Sequence, residues 1–156
     1  MQELAAQIAW RGEVSDEELI ELTKSHGGVA VRGWWTRVRA RSLGWVVARS
    51  PDGVLVGFVN VAWDGGDHAF LIDTKTRPSH QRRGLGRAVM QRAVEGARAA
   101  GCEWLFVDFE SRLAAFYLDA CGFESTAAGL IRLRPVPPDP MPSARSSATP
   151  SGSRSQ

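Results

Sequence analysis

Thr74-Lys75-Thr76-Arg77-Pro78-Ser79-His80-Gln81-Arg82-Arg83-Gly84-Leu85-Gly86-Arg87 is the stretch on which the reading of this chain turns. It joins two segments of different periodicity. Before it, residues 69–76 read as a strand that Pro78 stops; after it, residues 84–100 carry Leu85, Ala88, Val89, Ala93, Gly96 and Ala97 at helical spacing, and Gly101 sits where a helix C-terminal glycine belongs. A strand running into a glycine-rich turn that opens a helix suits phosphate, because the first N–H groups of a helix lack partners and point along its axis, where the dipole favours negative charge. Gly84 and Gly86 let the backbone approach a ligand closely, and Arg82, Arg83 and Arg87 add positive charge. A bare turn with solvated arginines fits the same residues. The stretch lacks the GK[ST] of a P-loop and does not follow the first strand, as a dinucleotide fingerprint does.

On the N-terminal side, residues 54–63 and 45–49 are rich in β-branched and aromatic residues, and Ser50-Pro51-Asp52-Gly53 between them makes a hairpin turn. Asp64-Gly65-Gly66-Asp67 turns the chain back, so residues 69–76 pair antiparallel with 54–63. Earlier still, residues 8–14 suit a short strand and Ser15-Asp16-Glu17-Glu18 matches a capping box, starting a helix that Gly27-Gly28 ends. Residues 34–41 alternate Trp34, Trp35 and Val38 with Arg37, Arg39 and Arg41, a short amphipathic helix closed by Gly44. On the C-terminal side, the unbroken run Trp104-Leu105-Phe106-Val107 predicts a strand buried on both faces. Residues 111–120 read as a helix and 123–133 as one or two last short strands. The order β-α-α-β-β-β-α-β-α-β predicts an α+β fold, a mixed, mostly antiparallel central sheet flanked by helices.

The 156 residues allow one domain plus an unstructured segment. Six of the eight prolines fall in residues 135–156 together with many serines and almost no large apolar side chain, so residues 1–134 are expected to fold and 135–156 to form a disordered tail. A formal charge of +2 argues against general nucleic-acid binding. Cys102 and Cys121 form no CxxC or Cys/His cluster, which predicts free thiols. His26, His68 and His80 are scattered, so no metal is expected. With neither a signal sequence nor a long apolar run, the chain is expected to be cytoplasmic, away from membranes, and a monomer or homodimer.

Gln81-Arg82-Arg83-Gly84-Leu85-Gly86 resembles the Q/R-x-x-G-x-G/A motif of the GNAT superfamily of acyl-CoA-dependent N-acetyltransferases. The likeness extends over residues 45–134: hairpin, strand ending before proline, glycine-rich loop, long helix, buried strand, then Phe116-Tyr117-Leu118-Asp119-Ala120-Cys121-Gly122-Phe123, similar to the family's tyrosine-containing helix that ends in Gly-Phe. The resemblance implies the acyl-CoA N-acyltransferase fold, acetyl-CoA as cosubstrate without a metal, and direct transfer of acetyl to a primary amine of a small molecule or peptide. A non-catalytic acyl-CoA-binding or sensing module on the same fold is the alternative.

By that resemblance Thr74, Thr76, Gln81, Arg82, Arg83, Gly84, Leu85, Gly86 and Arg87 bind the cofactor, the loop holding the pyrophosphate and the Thr76 backbone facing the pantetheine arm in a gap between splayed strands. An amine of pKa near 10.4 is mostly protonated at neutral pH, so a base is useful; Asp73, Asp108 and Glu110 are the candidates, and each equally suits a solvated or ion-paired strand end. Tyr117, the one tyrosine, is the candidate acid for the departing thiolate, with core packing as its other reading. Two departures from the family pattern bear on this. Tyr117 precedes Gly122 by five residues where four is common, and Ser111 replaces a frequent Asn. Trp34, Trp35 and Trp63 suit either an acceptor pocket or the core.

Overall fold

In a computed structural model, residues 6–135 are described. The elements run β1 (Gln7–Trp10), α1 (Asp16–Ser25), α2 (Trp34–Arg39), β2 (Ser42–Arg49), β3 (Leu55–Trp63), β4 (His68–Thr76), α3 (Leu85–Ala99) and β5 (Trp104–Val107), with 3-10 turns at Pro78–His80 and Ser111–Leu113 and a π-helix at Ala115–Ala120. The chain divides into Met1–Ser125 and Thr126–Gln156; among the described residues every helix and strand lies in the first, and residues 126–135 carry neither. No described helix is long and apolar enough to cross a membrane.

Five strands form one sheet in the order β1-β2-β3-β4-β5. The first four pair antiparallel and β5 pairs parallel to β4, the crossover being made through α3. This is the mixed, mostly antiparallel sheet flanked by helices that the sequence predicts.

Each face of the sheet has its own core. On one, α3 sets Leu85, Val89, Met90, Ala93 and Ala97 against Val46, Val59, Val61, Ala69 and Leu71. On the other, Leu19 and Leu22 of α1 and Trp35 of α2 cover Val47, Leu55 and Phe58. Trp35 meets Trp45 and Phe58 edge-on at 5.0 and 5.2 Å between ring centroids, which places it in the core rather than in a pocket. Trp63 is exposed and donates its indole N–H to the Gly66 carbonyl at 2.8 Å. Small residues set the fit of α3. A Cβ on Gly96 would lie 2.6 Å from the Trp10 ring, and one on Gly44 would also run into that ring, so Trp10 occupies a slot that only two glycines leave open.

α1 begins as the sequence predicts. Ser15 Oγ accepts the Glu18 N–H at 3.1 Å while the Glu18 carboxylate accepts the Ser15 N–H at 2.9 Å, and the same carboxylate takes both terminal nitrogens of Arg49. The Arg49 guanidinium first, and Ser15 after it, hold the Glu18 carboxyl below its usual range against the opposing effect of burial.

Four expectations need correction. The amphipathic helix ends at Arg39, and Gly44 belongs to β2, because the strand begins at Ser42. Phe106 is 40% and Trp104 56% exposed, so β5 is covered on one face only. It is the last strand of the sheet; Leu105 and Val107 pack beneath α3 while Phe106 stacks on Phe70 at 5.2 Å. The run read as doubly buried because its outward positions are aromatic rather than polar. The single helix over 111–120 is a 3-10 turn followed by a π-helix. No strand forms in residues 123–133, where Leu130, Ile131 and Leu133 are exposed. Residues 136–156, nearly all of the expected tail, lie outside the described residues.

Gly96→Ala should lower stability by about 1–3 kcal/mol in urea denaturation, and the double variant with Trp10→Leu should cost less than the two single changes added. Glu18 stabilises the fold above its unfolded value near 4.5 and loses that contribution as pH falls through its lower folded value. Glu18→Gln should therefore be less stable at pH 7 and show a smaller decline on acidification to pH 3.

Candidate active site

The site is made where two strands part. β4 and β5 pair from His68 opposite Trp104 to Leu71 opposite Val107, and there the ladder stops. β4 continues to Thr76 against β3 alone, leaving its other edge open. A bulge accompanies the parting: Phe58 faces Lys75 and Asn60 faces Ile72, so Asp73 and Thr74 together oppose one residue of β3. Asp73 adopts φ 57, a left-handed conformation that Asp tolerates better than most side chains. The two residues of the bulge have different surroundings. Asp73 lines a cavity beside α1 and α2, while the Thr74 side chain interacts with the Tyr117 hydroxyl.

Strand alternation fixes which backbone groups face the open edge. The Arg77 N–H donates inward to the Val56 carbonyl at 2.7 Å, so Thr76, one residue earlier, turns its N–H and C=O outward. The Gln81 side-chain amide accordingly donates to the Thr76 carbonyl at 3.2 Å, and the Thr76 N–H points into the gap.

Facing that gap is the start of α3. Gly84 is its N-cap at φ 80, and the first bond of the helix runs from the Ala88 N–H to the Gly84 carbonyl at 3.1 Å. The N–H groups of Leu85, Gly86 and Arg87 have no partner among the described residues. Arg82, at φ 59, shapes the preceding turn, and the side chains of Arg82, Arg83 and Arg87 are exposed around it. A Cβ on Gly86 would sit 3.2 Å from the Phe116 ring, so this glycine lets the helix start lie against the π-helix. The loop from Gln81 to Arg87 and Thr76 thus border one gap.

Tyr117 is 5% exposed and stacks on Phe109 at 4.8 Å, with Phe116 and Phe123 edge-on at 4.9 and 6.0 Å. Burial pushes its hydroxyl pKa up, partly offset by the Thr74 side chain, so it is a protonated donor at neutral pH. The π-helix resolves its odd spacing. The Cys121 N–H reaches back five residues to the Phe116 carbonyl, a turn one residue wider than an α-turn, and this takes up the extra residue before Gly122.

All three candidate carboxylates are exposed, and their surroundings differ. Glu110 is paired with Arg112 at 2.6 Å, and Asp108 stands at the end of β5. Asp73 has no ion-pair or hydrogen-bond partner among the described residues, and desolvation at the mouth of its cavity pushes its carboxyl up, with Lys75 acting in the opposite direction. Its cavity, of about 160 Å3, is walled by Leu19, Ile20, Val29, Val31 and Trp34, with Lys75 beside Asp73. The sequence reading missed Lys75. Its signal was a lone cation inside a strand that is otherwise apolar or neutral apart from Asp73.

Residues 8–123 match the model of the acetyltransferase (GNAT) family. A stretch of 70 residues is 40% identical to serotonin N-acetyltransferase 2, chloroplastic, of Oryza sativa subsp. japonica, covering 45% of this chain and 35% of that protein, so the match spans about a third of the relative's length. Among solved structures, a GNAT-family acetyltransferase of Streptococcus pneumoniae TIGR4 superposes with a TM-score of 0.67 at 22% identity, over 83% of this chain and 99% of the other. Glucosamine-6-phosphate N-acetyltransferase of Arabidopsis thaliana gives 0.67 at 16% identity, over 81% and 97%. AAC(6')-Iy, solved in complex with the bisubstrate analogue CoA-S-monomethyl-acetylneamine, gives 0.63 at 20% identity, over 84% and 99%. The structural likenesses agree with the fold, and the match over three-quarters of its residues settles the family: the chain belongs to the GNAT acetyltransferases.

Proposed function

We propose that this protein is an N-acetyltransferase that passes the acetyl group of acetyl-CoA directly to a primary amine held in the same complex. The observation that carries this reading is the set of unpartnered N–H groups, from Thr76 on one side and Leu85, Gly86 and Arg87 on the other, that border one gap. Pyrophosphate suits the helix start, and the pantetheine arm, with its own amides, suits the open edge of β4 as an added strand would. A groove of about 330 Å3 between α3 and the π-helix, bordered by Arg87 and Arg98, has room for the nucleotide end.

The chemistry follows from the two sides of the bulge. Asp73 takes a proton from the acceptor ammonium, whose freed lone pair attacks the thioester carbonyl. The C–N bond forms as the carbonyl oxygen gathers charge, which the Thr76 N–H is turned to receive. The adduct nitrogen loses a second proton to solvent, the C–S bond breaks, and Tyr117 protonates the departing thiolate; Asp73 then gives up its proton to water and Tyr117 regains one from water, which restores both groups. The products are the acetamide, CoA-SH and one proton released to solvent. Asp73 and Tyr117 on either side of the gap favour this reading over an acyl-CoA sensor, which needs only the loop.

Acetyl-CoA should raise the melting temperature, since a ligand present at a hundredfold excess over Kd adds roughly 2.7 kcal/mol to the folded state. ATP and NAD, which lack pantetheine, should do much less; no shift with acetyl-CoA would end both the enzyme and the sensor readings. Tyr117→Phe should cut kcat by about 100-fold with acetyl-CoA affinity unchanged, and normal turnover would assign the tyrosine to packing. The rate should fall on the acid side as Asp73 protonates, at a pH above the ordinary carboxylate value of 3.8, and Asp73→Asn should remove that limb. An acid limb that survives the change would assign the base elsewhere.

A further inference from the structure

We propose that the acceptor is a free α-amino acid with an apolar side chain, its amino group taken by Asp73 and its carboxylate by Lys75. This names the acceptor of the acetyl-transfer reading above and rests on it.

Lys75 carries an ammonium that no carboxylate touches. Lys75 lies on β4 in half-buried surroundings and makes no ion pair or hydrogen bond with any described residue. Its Nζ stands over the Trp34 ring at 5.2 Å and the Phe58 ring at 6.0 Å, contacts that hold a cation in place without neutralising it. Desolvation lowers its pKa, with Asp73 opposing. A desolvated cation without a partner is costly, and an incoming carboxylate relieves that cost.

The other charges near the cavity do not supply one. Asp16 reaches the same cavity, but its carboxylate accepts the N–H groups of Gly33 at 2.6 Å and Trp35 at 3.1 Å. His26, at the end of α1, is driven toward its neutral form by burial and then by Lys75 and Arg77, so it supplies no negative charge here. An anion is therefore favoured beside Lys75, and Asp73, two residues away, remains to receive the amine.

That adjacency selects the substrate. Charges two residues apart on one strand and facing one cavity match a molecule whose own two charges sit on a single carbon. The remaining walls are mostly apolar, since of the other two polar liners Thr23 donates its hydroxyl to the Leu19 carbonyl at 2.7 Å and Asp16 is held by backbone amides. At about 160 Å3 the cavity holds roughly five waters' share of liquid volume, enough for a branched aliphatic chain or one ring. It is smaller than the roughly 300–1,000 Å3 typical of drug-sized ligand pockets, which disfavours a sugar array or a nucleotide. A peptide N-terminus offers the amine and the side chain but an uncharged amide in place of the carboxylate.

The test compares kcat/KM at saturating acetyl-CoA for leucine, leucinamide and 3-methylbutylamine, and for phenylalanine and phenethylamine, with acetyl-CoA binding measured calorimetrically in parallel. Each amino acid should exceed its carboxylate-free partner by about 100-fold or more, mostly in KM. Lys75→Met should shrink that ratio to a few-fold, and Lys75→Arg should restore much of it. Amines or leucinamide used as well as the amino acids would overturn the proposal. So would an unchanged ratio in Lys75→Met, or failure to acetylate any amino acid by an enzyme that binds acetyl-CoA. If acetyl-CoA itself does not bind, the acetyl-transfer reading falls first and this inference with it.

Discussion

The constraint on which the rest of this structure depends is the end of the parallel ladder between β4 and β5. Four residues of each strand pair, and then the strands part at Leu71 and Val107. Backbone amides demand partners, so an open strand edge in the interior of a fold is costly unless something else occupies it. The bulge at Asp73–Thr74, the outward N–H of Thr76 and the bare amides at the start of α3 are consequences of that parting or stand beside it. They turn one defect in the sheet into a row of donors.

The stable part of the molecule lies away from this gap. β1, β2 and β3 hold the two cores, and Trp10 locks α3 to the sheet through the clearance left by Gly44 and Gly96. The Glu18–Arg49 pair ties α1 to β2 at the opposite end of β2 from that slot. A rigid frame of this kind can support an unpaired strand edge and a left-handed Asp73, local features that cost stability where they stand. Charge follows the same division. Asp16 and Glu18 of the frame are engaged with backbone amides and Arg49, whereas Asp73 and Lys75 beside the bulge have no partners among the described residues.

Much of this was legible in the sequence because local rules govern it. Ser15 and Glu18 announce a capping box, Pro51 to Gly53 a hairpin turn, and the glycines and arginines from Arg82 to Arg87 a phosphate-suited helix start. What failed depended on tertiary context. Trp104 and Phe106 look buried in a sequence, and only the strand order shows that one face of β5 is open. The bulge leaves no residue signature, since Asp73 and Thr74 would alternate normally in an unbroken strand. Asp73 and Lys75, two residues apart on one strand, line the same cavity, but only the tertiary placement of α1, α2 and Trp34 over β4 shows that the cavity exists. The spacing of Tyr117, a departure when counted in residues, is absorbed by a π-turn that no spacing rule anticipates.

The central claim is that acetyl-CoA binds by occupying these backbone donors, and amide hydrogen exchange reads it residue by residue. With saturating acetyl-CoA, the amides of Thr76, Leu85, Gly86 and Arg87 should exchange much more slowly than in the free protein, while exposed amides in the Ser50–Gly53 turn keep their rates. Acetyl-CoA bound to the protein with the exchange of Thr76 and the α3 start unchanged would contradict the account.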